Sequence, residues 1–225
     1  MWYRIADEYV EYNSLNNEIK KKFEQYKSRD KRCNGDDIYI NMEGLSLYKK
    51  AHNNLSGSQC ELIYSLQQFF IGLLKKRKLL LHASVVIVNN ESYVFVGKAD
   101  TGKSTISQQL AEYNEDSYIL SDDRSVIGCV GEILCAWGTP WSKIDSKFKQ
   151  PIPVKAMIYI EKSDRNSIRE ISTEAMKAYC IKMYPEMLKY DISKVLNFLI
   201  SDVKLYLLEN GMSGFEKENL YRILN

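Results

Sequence analysis

The stretch Tyr93-Val94-Phe95-Val96-Gly97-Lys98-Ala99-Asp100-Thr101-Gly102-Lys103-Ser104-Thr105 constrains this chain more than any other. Its first four residues, apolar and rich in β-branched and aromatic side chains, read as a buried strand, and Ser104 to Tyr113 reads as a helix. Between them lies Gly97-x-x-x-x-Gly102-Lys103-Ser104, the spacing of a phosphate-binding loop in its expected context. Backbone N–H groups converge on phosphate oxygens only where the chain turns with positive φ and no side chain blocks the approach, hence Gly97 and Gly102. The helix that follows presents its unpaired N–H groups and positive dipole end to the same place. Residues Gly97, Lys98, Ala99, Asp100, Thr101, Gly102, Lys103, Ser104 and Thr105 are thus expected to hold the phosphates of ATP or another nucleoside triphosphate. Lys103 supplies a mobile charge, and the Ser104 hydroxyl suits Mg²⁺, which accepts one or two protein oxygens. Asp100 stands where a further glycine would be usual; Asp tolerates the left-handed conformation, but its carboxylate adds negative charge beside the phosphates.

The rest of the chain bounds the class. With 225 residues, 45% of them hydrophobic and 27% charged, one well-buried α/β unit is expected, with residues 1–78 as a strand and helix portion packed on a core of residues 79–225. A formal net charge of +2 supplies no basic field of the size nucleic acid needs. Cys33, Cys60, Cys129, Cys135 and Cys180 form no C-x-x-C pair, so they read as reduced thiols, with the cytoplasm as the expected compartment. No stretch approaches the ~18 apolar residues of a membrane span, and Met1-Trp2-Tyr3-Arg4-Ile5 lacks the apolar core of a signal peptide.

In chain order, residues 2 to 12 read as one strand. A helix capped by Asn13 or Ser14 carries Leu15, Ile19, Phe23 and Tyr26, and Ile38 to Ile40 restarts a strand. Ser56-Gly57-Ser58 opens a helix with Leu62, Leu66, Phe69, Phe70 and Leu73 inward, ending in Lys75-Lys76-Arg77-Lys78, a run expected to be a solvated helix end. Leu79 to Val88 reads as one long strand, turned at Asn89-Asn90 into the strand of the phosphate loop. That hairpin calls for a mixed sheet, since a parallel doubly wound sheet would place a helix there. Ser125 to Trp137 reads as a second hairpin, and Gly138-Thr139-Pro140-Trp141 as a rigid turn into a polar, Lys-rich loop that runs to Pro153 and is a candidate to face the substrate. A strand over Val154 to Glu161, helices over Thr173 to Met183 and Glu186 to Ile200, a strand over Val203 to Leu208 and a closing helix over Glu216 to Leu224 complete the chain.

The acidic pair Asp122-Asp123 follows the short strand Tyr118-Ile119-Leu120, about where a metal-side acid would reach the nucleotide from a neighbouring strand end. Adjacent carboxylates at a strand end point to opposite faces, so one can hold Mg²⁺ while the other takes the proton of an attacking hydroxyl. His82, alone in an apolar strand beside the loop strand, is placed to hydrogen-bond the base. His52 reads as a surface histidine.

Taken together, Leu81-His82-Ala83-Ser84, the hairpin into the loop, Leu120-Ser121-Asp122-Asp123 and Gly138-Thr139-Pro140-Trp141 resemble the HPr kinase/phosphorylase-related serine kinases, whose nucleotide-binding core is shared with phosphoenolpyruvate carboxykinase. The likeness runs over roughly residues 79 to 210. It implies an α/β fold with a mixed-sheet core of that type, Asp122 as base with His82 beside it, Lys103 and Ser104 on phosphate and Mg²⁺, and Asp123 as a metal-side carboxylate. The family loop usually reads G-x-S-G-x-G-K-S, and Ala99 and Asp100 stand at its Ser and second Gly. Short stand-alone members resemble kinases that modify serines of small peptides, including lasso-peptide precursors. The expectation is therefore transfer of the γ-phosphate to a serine or threonine of a peptide or small protein; a small-metabolite kinase and a nucleotide-binding sensor without catalysis are the alternatives. Homo-oligomer formation enters only by analogy with relatives of this fold, which often assemble.

Overall fold

The computed structural model describes residues 1–29, 37–113, 116–144, 149–184, 189–200 and 202–211. The expected closing helix over Glu216 to Leu224 lies outside them, as does Cys33. Residues 2 to 12 form two strands, β1 (Trp2–Ile5) and β2 (Glu8–Tyr12), rather than one. The turn between them is Ala6-Asp7, both at positive φ (52° and 62°), a conformation that a sequence without Gly or Asn there does not advertise. Strand β3 (Ile38–Ile40) adds parallel to β2. Helix α1 (Asn17–Glu24) is capped by Asn16, whose side chain accepts from the N–H groups of Glu18 and Ile19. Ser14, an expected cap, instead donates to the buried carboxylate of Glu61 at 2.6 Å.

Two helices follow: α2 (Leu45–Ala51), with no clear signal in the sequence, and α3 (Gly57–Lys75), started by a capping box between Ser56 and Gln59. Helix α3 buries Phe69, Phe70 and Leu73. The basic run at its end is not simply solvated. The Lys78 ammonium is buried, donates to Ala6 O (2.6 Å) and Glu8 Oε1 (2.5 Å), and lies 5.1 Å from the Trp137 ring centroid. Its partners stand some seventy residues earlier and sixty later, beyond the reach of any local pattern.

The large sheet is mixed, as the Asn89-Asn90 hairpin requires. Its strands are β4 (Leu79–Leu81), β5 (Ala83–Val88), β6 (Glu91–Val96), β7 (Tyr118–Ser121), β8 (Ser125–Val130), β9 (Ile133–Gly138), β10 (Ile152–Lys162), β11 (Ser167–Glu170) and β12 (Lys204–Asn210). They are ordered β4-β8-β9-β10-β6-β5-β7, with β12 also on β10 and carrying β11. Strand β10 pairs antiparallel with β9 through Ile152 and Pro153, then runs parallel between β6 and β12. Leu79 to Val88 is not one strand: β4 pairs with β8, β5 pairs with β6 and β7, and His82 sits at the break. The acid-bearing β7 therefore neighbours β5, not β6.

Helix α4 (Lys103–Tyr113) covers one face of this sheet, where Ile106 and Leu110 meet Val86, Phe95 and Ile158. The other face packs Val85, Val94 and Met157 into a core that continues into Tyr3, Phe23 and Phe69 of the N-terminal layer and into α5 (Thr173–Ile181) and α6 (Lys189–Leu199). Strands β5 and β6 are buried on both faces, which is why they read as unbroken apolar runs instead of alternating. No helix of the described residues is long and apolar enough to cross a membrane.

Candidate active site

Strand β6 ends beside Tyr159 of its parallel neighbour β10, and the loop that follows lies against Ile160 of β10 and Asn210 of β12. At Gly97 (φ 155°) a Cβ would lie 2.6 Å from the carbonyl oxygen of Ile160, and at Gly102 (φ 96°) it would lie 2.5 Å from the Asn210 side-chain nitrogen. Asp100 takes the left-handed conformation at φ 61°. Two hydrogen bonds brace the loop: Thr101 Oγ1 donates to Lys98 O at 3.0 Å, and Asn210 Nδ2 donates to Thr101 O at 2.9 Å. Asn210, at the end of β12, carried no signal in the sequence. The Lys103 ammonium is folded back on its own loop, donating to Gly97 O (2.9 Å) and Lys98 O (2.6 Å). Burial lowers its pKa, and the charges of Asp123, Asp122 and Asp100 only partly oppose that shift.

The carboxylates of Asp122 and Asp123, just past the end of β7, face different partners. Ser104 Oγ donates to Asp122 Oδ1 at 2.8 Å. Asp123 Oδ1 lies 2.8 Å from His82 Nδ1 and 2.6 Å from Arg124 Nη1. His82 therefore lies on Asp123, whereas the sequence reading paired it with Asp122; and the acid at the Ser104 hydroxyl is Asp122, not Asp123. The register explains the exchange. Val85 pairs with Ser121, so the antiparallel chain past β7 runs back toward residue 83 and its neighbour His82. Asp123, at φ 84°, turns out of strand geometry at that point. Arg124 Nη1 also approaches His82 Nδ1, at 2.5 Å. An arginine only donates, so Nδ1 can accept from Arg124 or donate to Asp123 but not both, and the tautomer decides which. Burial pushes the Asp123 carboxyl up, but the His82 hydrogen bond and the charges of Arg124, His82 and Lys143 outweigh it and hold the pKa below its ordinary value.

A third segment completes the site. Asp122 N–H donates to Ser142 Oγ (2.9 Å), Ser142 Oγ donates to Asp122 O (2.9 Å), and Lys143 N–H donates to Asp122 O (2.9 Å). Next to it Trp141 is buried. Its ring stacks on Phe69 at 4.6 Å, meets Phe23 edge-on at 4.9 Å, and its Nε1 donates to Ser65 Oγ at 3.1 Å. The Gly138 to Trp141 turn was visible in the sequence, but its role as the clamp on the acid strand was not.

These groups line one cleft of about 250 Å³, bounded by His82, Ala99, Asp100, Gly102, Lys103, Ser104, Thr105, Asp122, Asp123 and Lys143. Larger grooves flank α3, one of about 630 Å³ floored by Leu74, Val195 and Phe198 and one of about 410 Å³ beside Tyr39 and Gly72, but neither is lined by the glycine-turned loop or the acid pair. A hydroxyl and a carboxylate in contact are hard oxygen donors of the kind Mg²⁺ takes, with its other positions left to water or phosphate. Among the described residues no group of three or more His, Cys, Asp or Glu side chains could hold a metal by itself. Arg169 lies on β11 and His52 stacks on Tyr48; neither lines the cleft. Cys60, Cys129, Cys135 and Cys180 are free thiols.

No family model matches the sequence, and no curated protein matches it either. Among solved structures the chain is similar to the Hpr(Ser) kinase/phosphatase from Coxiella burnetii, at 11% sequence identity and a TM-score of 0.37, with 64% of this chain and 91% of that chain covered. A similarity of that degree does not by itself assign an activity.

Proposed function

We propose that the cleft binds a nucleoside triphosphate, ATP in the first instance, together with Mg²⁺, and that the protein transfers the γ-phosphate to a hydroxyl. Serine or threonine of a peptide or small protein is the proposed acceptor. The observation that carries this reading is the contact of Ser104 with Asp122 at the first turn of α4, directly after a glycine-turned loop and beside a second, separately held carboxylate.

The division of labour follows from the partners. Amides of the loop and the N-terminal end of α4 cradle the phosphates, and Lys103 exchanges its two loop carbonyls for phosphate oxygens. Ser104 and Asp122 would hold Mg²⁺, which when bound neutralises charge developing between the β- and γ-phosphates. Asp123 stays ionised at neutral pH, so its task is to fix His82 with the proton on Nδ1, which leaves Nε2 to take the proton of the acceptor hydroxyl. Proton removal thus moves from Asp122, where the sequence placed it, to His82 oriented by Asp123.

The test is transfer of label from γ-labelled ATP with Mg²⁺ to peptides and small proteins encoded beside the gene. Label on a serine or threonine with wild type, lost in Lys103→Ala and Asp122→Asn and strongly reduced in His82→Gln, is the expected result. ATP binding with no label moved to any acceptor would sink the kinase reading and favour a nucleotide-binding module without catalysis. The Asp100 carboxylate in the phosphate cleft is the observation on that side.

A further inference from the structure

The cleft holds a second lysine that the phosphate-loop pattern does not include. Lys143 lines it together with Lys103, Ser104, Asp122 and Asp123, and comes from a different part of the chain than the loop. Its position is set by the fold, not by chance exposure. Its N–H is bonded to Asp122 O, the preceding Ser142 is bonded twice to the same residue, and Lys22 Nζ donates to Ser142 O at 3.3 Å. One residue earlier, Trp141 is clamped between Phe23 and Phe69. The side chain stands on a fixed base while its long stem and ammonium remain exposed to the cleft.

The charges of the cleft give this lysine a task. Asp100, Asp122 and Asp123 put three carboxylates beside the place proposed for a triphosphate. Arg124, a further cation on the acid turn, is committed to Asp123 at 2.6 Å. Lys103 follows the loop glycine and would meet the β- and γ-phosphates from the loop side. A terminal phosphate reaching toward the acid strand would meet carboxylates on that side, and Lys143 is the lysine anchored to the acid strand itself. Its charge acts on both Asp123 and Lys103, so the ammonium sits within electrostatic range of both halves of the site.

We propose that Lys143 contacts the terminal phosphate and makes the cleft discriminate a nucleoside triphosphate from a diphosphate. This rests on the triphosphate reading above. A charge-assisted hydrogen bond from a lysine to phosphate is present for ATP and absent for ADP, where the group it touches is missing.

Calorimetric titration of MgATP and MgADP into wild type, Lys143→Met and Lys143→Arg, with a thermal melt of each to verify folding, tests it. Lys143→Met is expected to weaken ATP about tenfold, the loss of one charged hydrogen bond, while ADP stays within about twofold; Lys143→Arg is expected to restore most of the preference. Equal weakening of both nucleotides, or no change in either, overturns the assignment and leaves the triphosphate reading standing. Failure of wild type to bind either nucleotide overturns both.

Discussion

The two walls of the cleft are built in opposite ways. The phosphate side is a single run, residues 97 to 105, whose braces are mostly its own: Thr101 to Lys98, and Lys103 to Gly97 and Lys98. The acid side is assembled from His82, the turn Asp122 to Arg124, and Ser142 and Lys143, each from a separate segment. Its outermost support, Trp141, is held by residues of α1 and α3. A wall encoded in one stretch is fixed by local backbone chemistry. One gathered from several segments is only as firm as the packing behind it.

The sharpest way to break that contrast is Trp141→Ala. Removing a buried indole from between Phe23 and Phe69 costs about 3–5 kcal/mol, by the usual scale for large-to-small core substitutions. Urea unfolding should show that loss, and transfer to the acceptor should fall further than ATP binding does, because the phosphate wall does not lean on Trp141. Equal losses of binding and transfer would mean the two walls are not independent. Gly102→Ala attacks the other wall. At φ 96° with Asn210 in the way, an added methyl costs about 1–3 kcal/mol of local strain, so the thermal shift produced by ATP should disappear while the ATP-free protein remains folded.

Acid titration sharpens the comparison through Asp123. A carboxyl whose folded pKa lies below its unfolded value of 3.8 contributes stability that is fully present above 3.8 and is lost as pH falls through the folded value. As pH falls below 3.8, wild type should therefore lose more thermal stability than Asp123→Asn, in which this contribution is already gone. Parallel curves would show that Asp123 is not held by His82 and Arg124 in solution. The smallest effect is expected at Asp100→Asn. Asparagine keeps the left-handed conformation and removes one negative charge from an exposed site, so ATP affinity should rise about two- to fivefold at low salt and less at high salt.

What could be read from the chain follows the same division. The turn from Gly97 to Gly102, its flanking strand and helix and the Asn89-Asn90 hairpin were all legible, because each is specified by neighbouring residues. The break at His82 was not. Leu79 to Val88 is apolar on both sides of it, and only the choice of partners, β8 before and β7 after, divides the run. Which carboxylate meets His82 was not legible for a similar reason, since a register between β5 and β7 decides it. Helix α2 and strand β11 are short elements whose sequence preference is too weak to separate them from loops. The cap of α1 is Asn16, two or three residues past the expected Ser14 or Asn13, with Ser14 withdrawn by Glu61.

Lys78 links assembly of the first hairpin to that of the sheet edge. Its ammonium leaves water only when Glu8 and the Ala6 carbonyl are in place and Trp137 of β9 lies beneath it. A buried charge deprived of its partner is costly, so opening β1 and β2 would draw Lys78 back into solvent and with it the start of β4, one residue further on. Amides of the hairpin and of β4 should accordingly exchange with deuterium in a common opening event, although they are nearly seventy positions apart in the chain.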